Sequence, residues 1–238
     1  AVAAAAHVII LVFSKDLGSA VIFFAGYLIM VFIATKNYFY LFAGILGGAG
    51  ASIVAYHMFS HVRTRVIAFL HPWSNINDSG YQITQSLFAI GTGGWFGLGI
   101  DQGDPTSIPY VEQDFVFSAV AEEMGVIFGI CLILVCVSCF IVFMKIAMQL
   151  KEDFYRYIAV GISTIYIFQV FLTIGGGTRF IPLTGVTLPL VSYGGSSVLT
   201  TIIMFSIIQG LYCIQSQEGK RNARKERRRT ADREAGEE

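Results

Sequence analysis

Charged residues make up 13% of this 238-residue chain, so each one beside an apolar run needs a reason. Asp114 stands directly ahead of the run 115–121. There it suits either of two roles: a helix N-cap whose carboxylate accepts backbone N–H groups, or a general base, ionised and ready to take a proton. Glu122 and Glu123 follow, about 12 Å further on if the segment is helical. Adjacent helical positions point about 100° apart, so at most one of the two shares a cavity with Asp114. An intramembrane carboxylate is a functional candidate, and the competing reading is a structural partner in the bundle interior. Arg63, Arg65 and Arg179 are the guanidinium groups on the two long loops, and they could hold a pyrophosphate through planar forks or else rest on lipid headgroups. Gly194, Gly195, Ser196 and Ser197 form a Gly-rich turn into an apolar window, which offers free N–H groups to an anion or simply caps a helix. His57 and His61, four apart, could share a helix face with His71 further along, but spacing fixes no third ligand, so a metal site is not expected. A Ser nucleophile is not expected either, since G-x-S-x-G is absent.

The elements that must position these groups follow from hydropathy. At 55% hydrophobic residues and a mean hydropathy of +0.65, the chain is too apolar for an ordinary soluble domain and reads as a membrane protein. Five windows approach the roughly 20 apolar residues needed to cross a bilayer, namely 18–35, 39–56, 124–144, 157–175 and 196–214. The chain opens without Met inside a further apolar stretch, 1–13, which predicts the end of a helix that begins earlier and raises the expectation to about six spans. The fold class is therefore all-α, a polytopic membrane helix bundle over residues 1–215 with a charged tail at 216–238. Lipid enforces helix because backbone groups there must be satisfied internally.

Two connections differ from simple linkers. Residues 58–114 form a long loop in which the Gly-interrupted apolar stretch 84–100 predicts a short re-entrant or interfacial helix. Residues 176–195 form a second loop with two prolines, and irregular backbone near membrane depth must be buried in protein or line a wet cavity. When loops are assigned alternately, Lys15, Arg63, Arg65 and Arg179 fall on one side and the other twelve of sixteen Lys and Arg on the other, which places the tail in the cytoplasm. The tail carries no apolar run, so it is expected to be disordered or a fraying extension of the last helix, with 220–229 near anionic lipid. Cys131, Cys136, Cys139 and Cys213 lie in apolar stretches and read as small buried hydrophobes rather than a disulfide framework. Zero formal net charge argues against a nucleic-acid partner.

Four ordered motifs carry a resemblance that covers nearly all the chain except the tail. They are RTRVIAFLHPW over 63–73, GYQITQSLFAIGTGGWFGLG over 80–99, DFVFSAVAEEMG over 114–125 and PLTGVTLPLVSYGGSS over 182–197. Together they resemble the SEDS family, whose members include FtsW, RodA and SpoVE. The resemblance implies a fragment of a protein with about ten spans. It implies a peptidoglycan glycosyltransferase that polymerises lipid II, the undecaprenyl-pyrophosphoryl disaccharide-pentapeptide, with inversion, usually beside a class B penicillin-binding protein. It also implies a bacterial cytoplasmic membrane location with an extracytoplasmic active site serving cell-wall growth or division. The catalytic carboxylate then falls on Asp114, with Arg63, Arg65, Gln85, Arg179 and 194–197 as candidates for binding lipid II. A divalent cation is compatible with such chemistry, though no spacing indicates one. A lipid II transporter using Glu122 or Glu123 as a proton relay, and a non-catalytic scaffold, are the rival classes. The chain departs from the family in having SKDLGS at 14–19 for a usual QPDLGT, and EQD at 112–114 for HTD. Lys15 adds a cation beside Asp16, and Glu112 could raise the Asp114 pKa by like-charge repulsion.

Overall fold

The computed structural model describes residues 10, 11, 14 and 16–234, with side chains described through residue 217. Apart from residues 10 and 11, the span expected over 1–13 lies outside the described residues, as does Lys15. Among the described residues the fold is all helical: α1 (Leu17–Thr35), α2 (Tyr38–Met58), α3 (Ser60–Leu70), α4 (Tyr81–Gly93), α5 (Val116–Gln149), α6 (Asp153–Gly177) and α7 (Gly195–Glu234). Short 3₁₀ turns lie at Trp73–Asn75 and Pro105–Ser107. Helices α1, α2, α5, α6 and the Gly195–Gln217 part of α7 are long and apolar enough to cross a membrane, matching the five windows read from hydropathy. The chain is an integral membrane protein with a polytopic helical bundle.

Burial identifies the centre of the bundle. Helix α6 is the most enclosed span, packed by α1, α5 and α7, whereas α2 buries none of its residues. Phe143 of α5, Tyr166 of α6 and Phe205 of α7 meet in a three-ring cluster with centroids 4.9–5.7 Å apart, an edge-to-face arrangement that suits aromatic quadrupoles. Helix association within lipid must rest on packing of this kind, because the solvent is itself apolar. The four cysteines are free, as expected, but only Cys136 is buried and Cys139 half-buried. Cys131 and Cys213 are exposed, since an apolar side chain gains nothing by leaving a lipid-facing surface.

The long connection is mostly helical. Its expected apolar helix runs over Tyr81–Gly93 rather than 84–100, and the glycines beyond it join α5 directly. Helix α5 breaks at Gly125, with φ 86° and ψ 166°, a conformation essentially restricted to glycine. The break separates Val126 N–H and Ile127 N–H from the carbonyls of Glu122 and Glu123 that an unbroken ladder would supply. Segment 94–99 supplies replacements. Leu98 N and Gly99 N donate to the Glu122 and Glu123 carbonyls, both at 2.9 Å, while Gly94 O and Trp95 O accept from Val126 N and Ile127 N at 2.9 and 3.3 Å. A Cβ on Gly125 or Gly97 would collide with the opposing backbone, so glycine is required on both sides of this splice.

The second loop, without regular secondary structure over residues 182–188, is held against α6 by the side chains of that helix. Gln169 Nε2 donates to Thr187 O at 3.0 Å and Thr173 Oγ1 to Val186 O at 2.8 Å. Both settings expected for irregular backbone occur here: Val186, Leu188 and Pro189 are buried in protein, while Gly185 and Thr187 line a cavity. The backbone of α7 continues as helix to Glu234, the second of the two forms expected for the tail.

Candidate active site around Asp114

Asp114 follows a turn in which Tyr110 adopts φ 61° and its carbonyl accepts from Asp114 N at 3.2 Å. Helix α5 starts at Val116 with Phe115 as its N-cap residue and no side-chain capping bond, so Asp114 does not cap it. Phe115 is fully buried and anchors the start of the helix. The Asp114 carboxylate, half-buried, accepts no hydrogen bond from the described residues and so is available to a ligand.

Two elements converge on that carboxylate. Arg65 projects from α3, its Nη1 donating to Thr184 O at 2.9 Å in the second loop. Gly185 follows with φ 76°, and a Cβ there would lie 3.4 Å from Arg65 Nη2 and 3.7 Å from Asp114 Oδ2. A residue with a side chain would be strained at this φ and would intrude between acid and base. Arg65 and Asp114 make no ion pair within 4.0 Å, leaving a gap between opposite charges. Burial pushes the Asp114 carboxyl above its ordinary range, and the Arg65 guanidinium pulls it part of the way back. The repulsion expected from exposed Glu112 does not enter; its carbonyl instead accepts from Tyr193 N at 2.7 Å.

Beside this pair lies a cavity of about 470 Å³ between α1, α6, the second loop and the start of α7. Gln113 and Gly185 reach it from the Asp114 side, and hydroxyls and amides such as Ser19, Gln169, Thr187 and Ser197 line it. Asp16 also lines it while capping α1 through Ser19 N at 3.0 Å. Gly194 and Ser196 face the cavity, and Ser197 Oγ bonds Thr187 Oγ1 at 2.7 Å. Ser192 Oγ ties the turn before α7 to Gln113 O at 2.5 Å.

The other candidates are dispersed. Arg63 and Arg65, read from sequence as a pair, lie about 200° apart on α3. Arg63 is exposed and sits over the Tyr56 ring at 5.7 Å. Arg179 donates to Phe69 O at 3.0 Å and Leu70 O at 3.4 Å, closing the C-terminal end of α3, where a cation complements the helix dipole. Gln85 is half-buried on α4 and makes no side-chain hydrogen bond. Glu122 is 7% exposed, and its Oε1 accepts from Asp104 N at 3.3 Å; Glu123 Oε1 accepts from Asp101 N at 3.2 Å. Both glutamates therefore hold segment 101–104 onto α5. His57 and His61 do not share a helix, because the extended residue Phe59 separates α2 from α3. Among the described residues, no three His, Cys, Asp or Glu side chains come together.

Sequence reasoning missed Gly185, Gln169 and Asp16 as parts of the site. Gln169 carried a signal, an amide inside an otherwise apolar window, and such a group within a span needs a partner. Nothing local distinguished Gly185 from other loop glycines, since its role depends on α3 and α5 arriving from elsewhere.

Fold and site together define a polytopic helical membrane protein with a carboxylate and a guanidinium on either side of Gly185, a residue that also lines a hydroxyl-rich cavity. Residues 1–217 match the FtsW/RodA/SpoVE family, described as “Cell cycle protein”, and the chain belongs to that family. It is 38% identical over 200 residues to peptidoglycan glycosyltransferase RodA of Mycobacterium bovis, covering 84% of this chain and 42% of the relative. Over 205 residues it is 36% identical to a probable peptidoglycan glycosyltransferase FtsW of Aliivibrio salmonicida, covering 83% and 51%. The chain thus spans about half the length of the curated relatives it matches. A solved structure described as “Structural coordination of polymerization and crosslinking by a peptidoglycan synthase complex” aligns with a TM-score of 0.72 at 25% identity, over 87% of this chain and 58% of that one.

Proposed function

We propose that the protein containing this chain is an inverting glycosyltransferase that polymerises lipid II into glycan strands, with Asp114 as general base. The observation that carries the reading is the uncapped, half-buried Asp114 carboxylate facing Arg65 across Gly185 beside the 470 Å³ cavity. The names of the relatives support the same reaction. In the reaction, an acceptor sugar hydroxyl attacks C1 of the donor as the C1–O bond to the lipid pyrophosphate breaks. The pyrophosphate leaves with the electron pair, and the hydroxyl proton passes to Asp114. Arg65 stabilises the charge that develops on the departing phosphate. The cavity wall carries the Asp16 carboxylate and neutral donors, which suits sugar hydroxyls better than a phosphate, so 194–197 serve the saccharide side in this reading.

The proposed setting is a bacterial cytoplasmic membrane, with Asp114 on the outer face, the tail in the cytoplasm and a class B penicillin-binding protein as partner. Bacterial relatives and a solved neighbour described as a complex that couples polymerization to crosslinking support it. The unit 1–215 would form the bundle and 216–238 the tail.

The test uses the full-length protein with labelled lipid II. Wild type should form polymer, and Asp114→Asn should reduce turnover by about 10²–10⁴-fold, the usual worth of a positioned base. Equal polymer from both would remove Asp114 from the chemistry. Redistribution of lipid between leaflets without polymer would favour transport instead.

A further inference from the structure

At the far end of α5 a second cavity, about 580 Å³, opens between that helix and α7. Its polar lining is Lys145 and Gln149 from α5 with Gln209, Tyr212 and Gln215 from α7. The unbroken part of α5 from Val126 to Lys145 is itself about 29 Å long, the thickness of a hydrocarbon core, so the crevice lies at the end of that span away from the break at Gly125.

The lining defines a ligand chemistry. It holds one ammonium, three amides and a phenol, and no carboxylate, so it favours an anion. Gln215 Nε2 donates to Gln149 Oε1, and this leaves Gln215 Oε1 buried without a donor. A buried acceptor in that state costs free energy until a hydroxyl or ammonium reaches it. Val142 and Ile146 supply an apolar wall, and the crevice lies between two spanning helices, so a molecule can enter sideways from the bilayer. Lys145 carries the crevice's charge with no carboxylate in the lining to offset it, which favours a net anionic headgroup over one that brings its own ammonium.

We propose that this crevice binds an anionic phospholipid of the phosphatidylglycerol class, its phosphate taken by Lys145 and a headgroup hydroxyl donating to Gln215 Oε1. The site is independent of the glycosyl-transfer reading. The experiment measures lipid retained by detergent-solubilised full-length protein, by native mass spectrometry, with phosphatidylglycerol, phosphatidylcholine or sn-glycerol 3-phosphate as probe. Wild type should retain phosphatidylglycerol in preference to phosphatidylcholine. Lys145→Ala should weaken that retention about fivefold, the worth of one basic residue at an anionic surface, and Lys145→Arg should preserve it. Gln215→Glu should weaken it as well by placing a carboxylate in the crevice. Equal retention by wild type, Lys145→Ala and Gln215→Glu would overturn the site. Displacement of the lipid by equimolar sn-glycerol 3-phosphate would also overturn it, by identifying a soluble phosphate compound as the occupant.

Discussion

Burial holds the Asp114 carboxyl in a state that costs local stability once it ionises. Burial raises its pKa, so the folded protein binds that proton more tightly than the unfolded chain does. The sign follows directly: stability falls as pH rises from the unfolded-state value through the raised folded one, and at neutral pH the ionised carboxylate is a net cost. Asp114→Asn should therefore raise the thermal midpoint at neutral pH while lowering polymerisation by the roughly 10²–10⁴-fold expected for a lost base, measured on the same purified sample. Arg65 acts on the same group in the opposite direction. Arg65→Ala should move the acid limb of the pH–rate profile to higher pH, because the lowering influence is lost, whereas Arg65→Lys should restore part of it. An unshifted limb would mean that Arg65 does not tune Asp114.

At the scale of elements, the governing feature is the exchange of hydrogen bonds between segment 94–99 and the break in α5. It locks the first part of α5, which begins just after Asp114, to the segment that follows α4, while the spanning part continues into the bundle. Gly125→Ala would place a Cβ against the backbone of Trp95 and Gly97 in a conformation closed to alanine. A loss of about 2–4 kcal/mol is expected, read as a lower thermal midpoint together with lower turnover. An unchanged midpoint would mean that the splice adds nothing to stability. Arg179 plays a related part, joining the second loop to the end of α3 and thereby fixing the helix that carries Arg65.

For the whole molecule, α6 is the shared wall of the bundle and α2 is its least covered helix, so the site depends on contacts from α1, α3, α5 and the second loop rather than on one contiguous segment. The charge asymmetry of the loops gives an expectation for the whole assembly. A protease-cleavable tag at the C-terminus should be cut in inside-out vesicles and protected in spheroplasts. Protection in the inside-out preparation would reverse the orientation and place Asp114 on the cytoplasmic face.

Hydropathy alone determined the spans, because a bilayer leaves an apolar segment of that length no other way to satisfy its backbone. The motifs determined the family. Tertiary structure decided which groups work together. It set Arg65 opposite Asp114 with Gly185 between them, turned Arg63 toward Tyr56 and committed Arg179, Glu122 and Glu123 to holding loops. The reason is that sequence records helical phase only within one element, whereas this site is assembled from residues more than a hundred positions apart, whose meeting depends on how α3, α5 and the second loop pack.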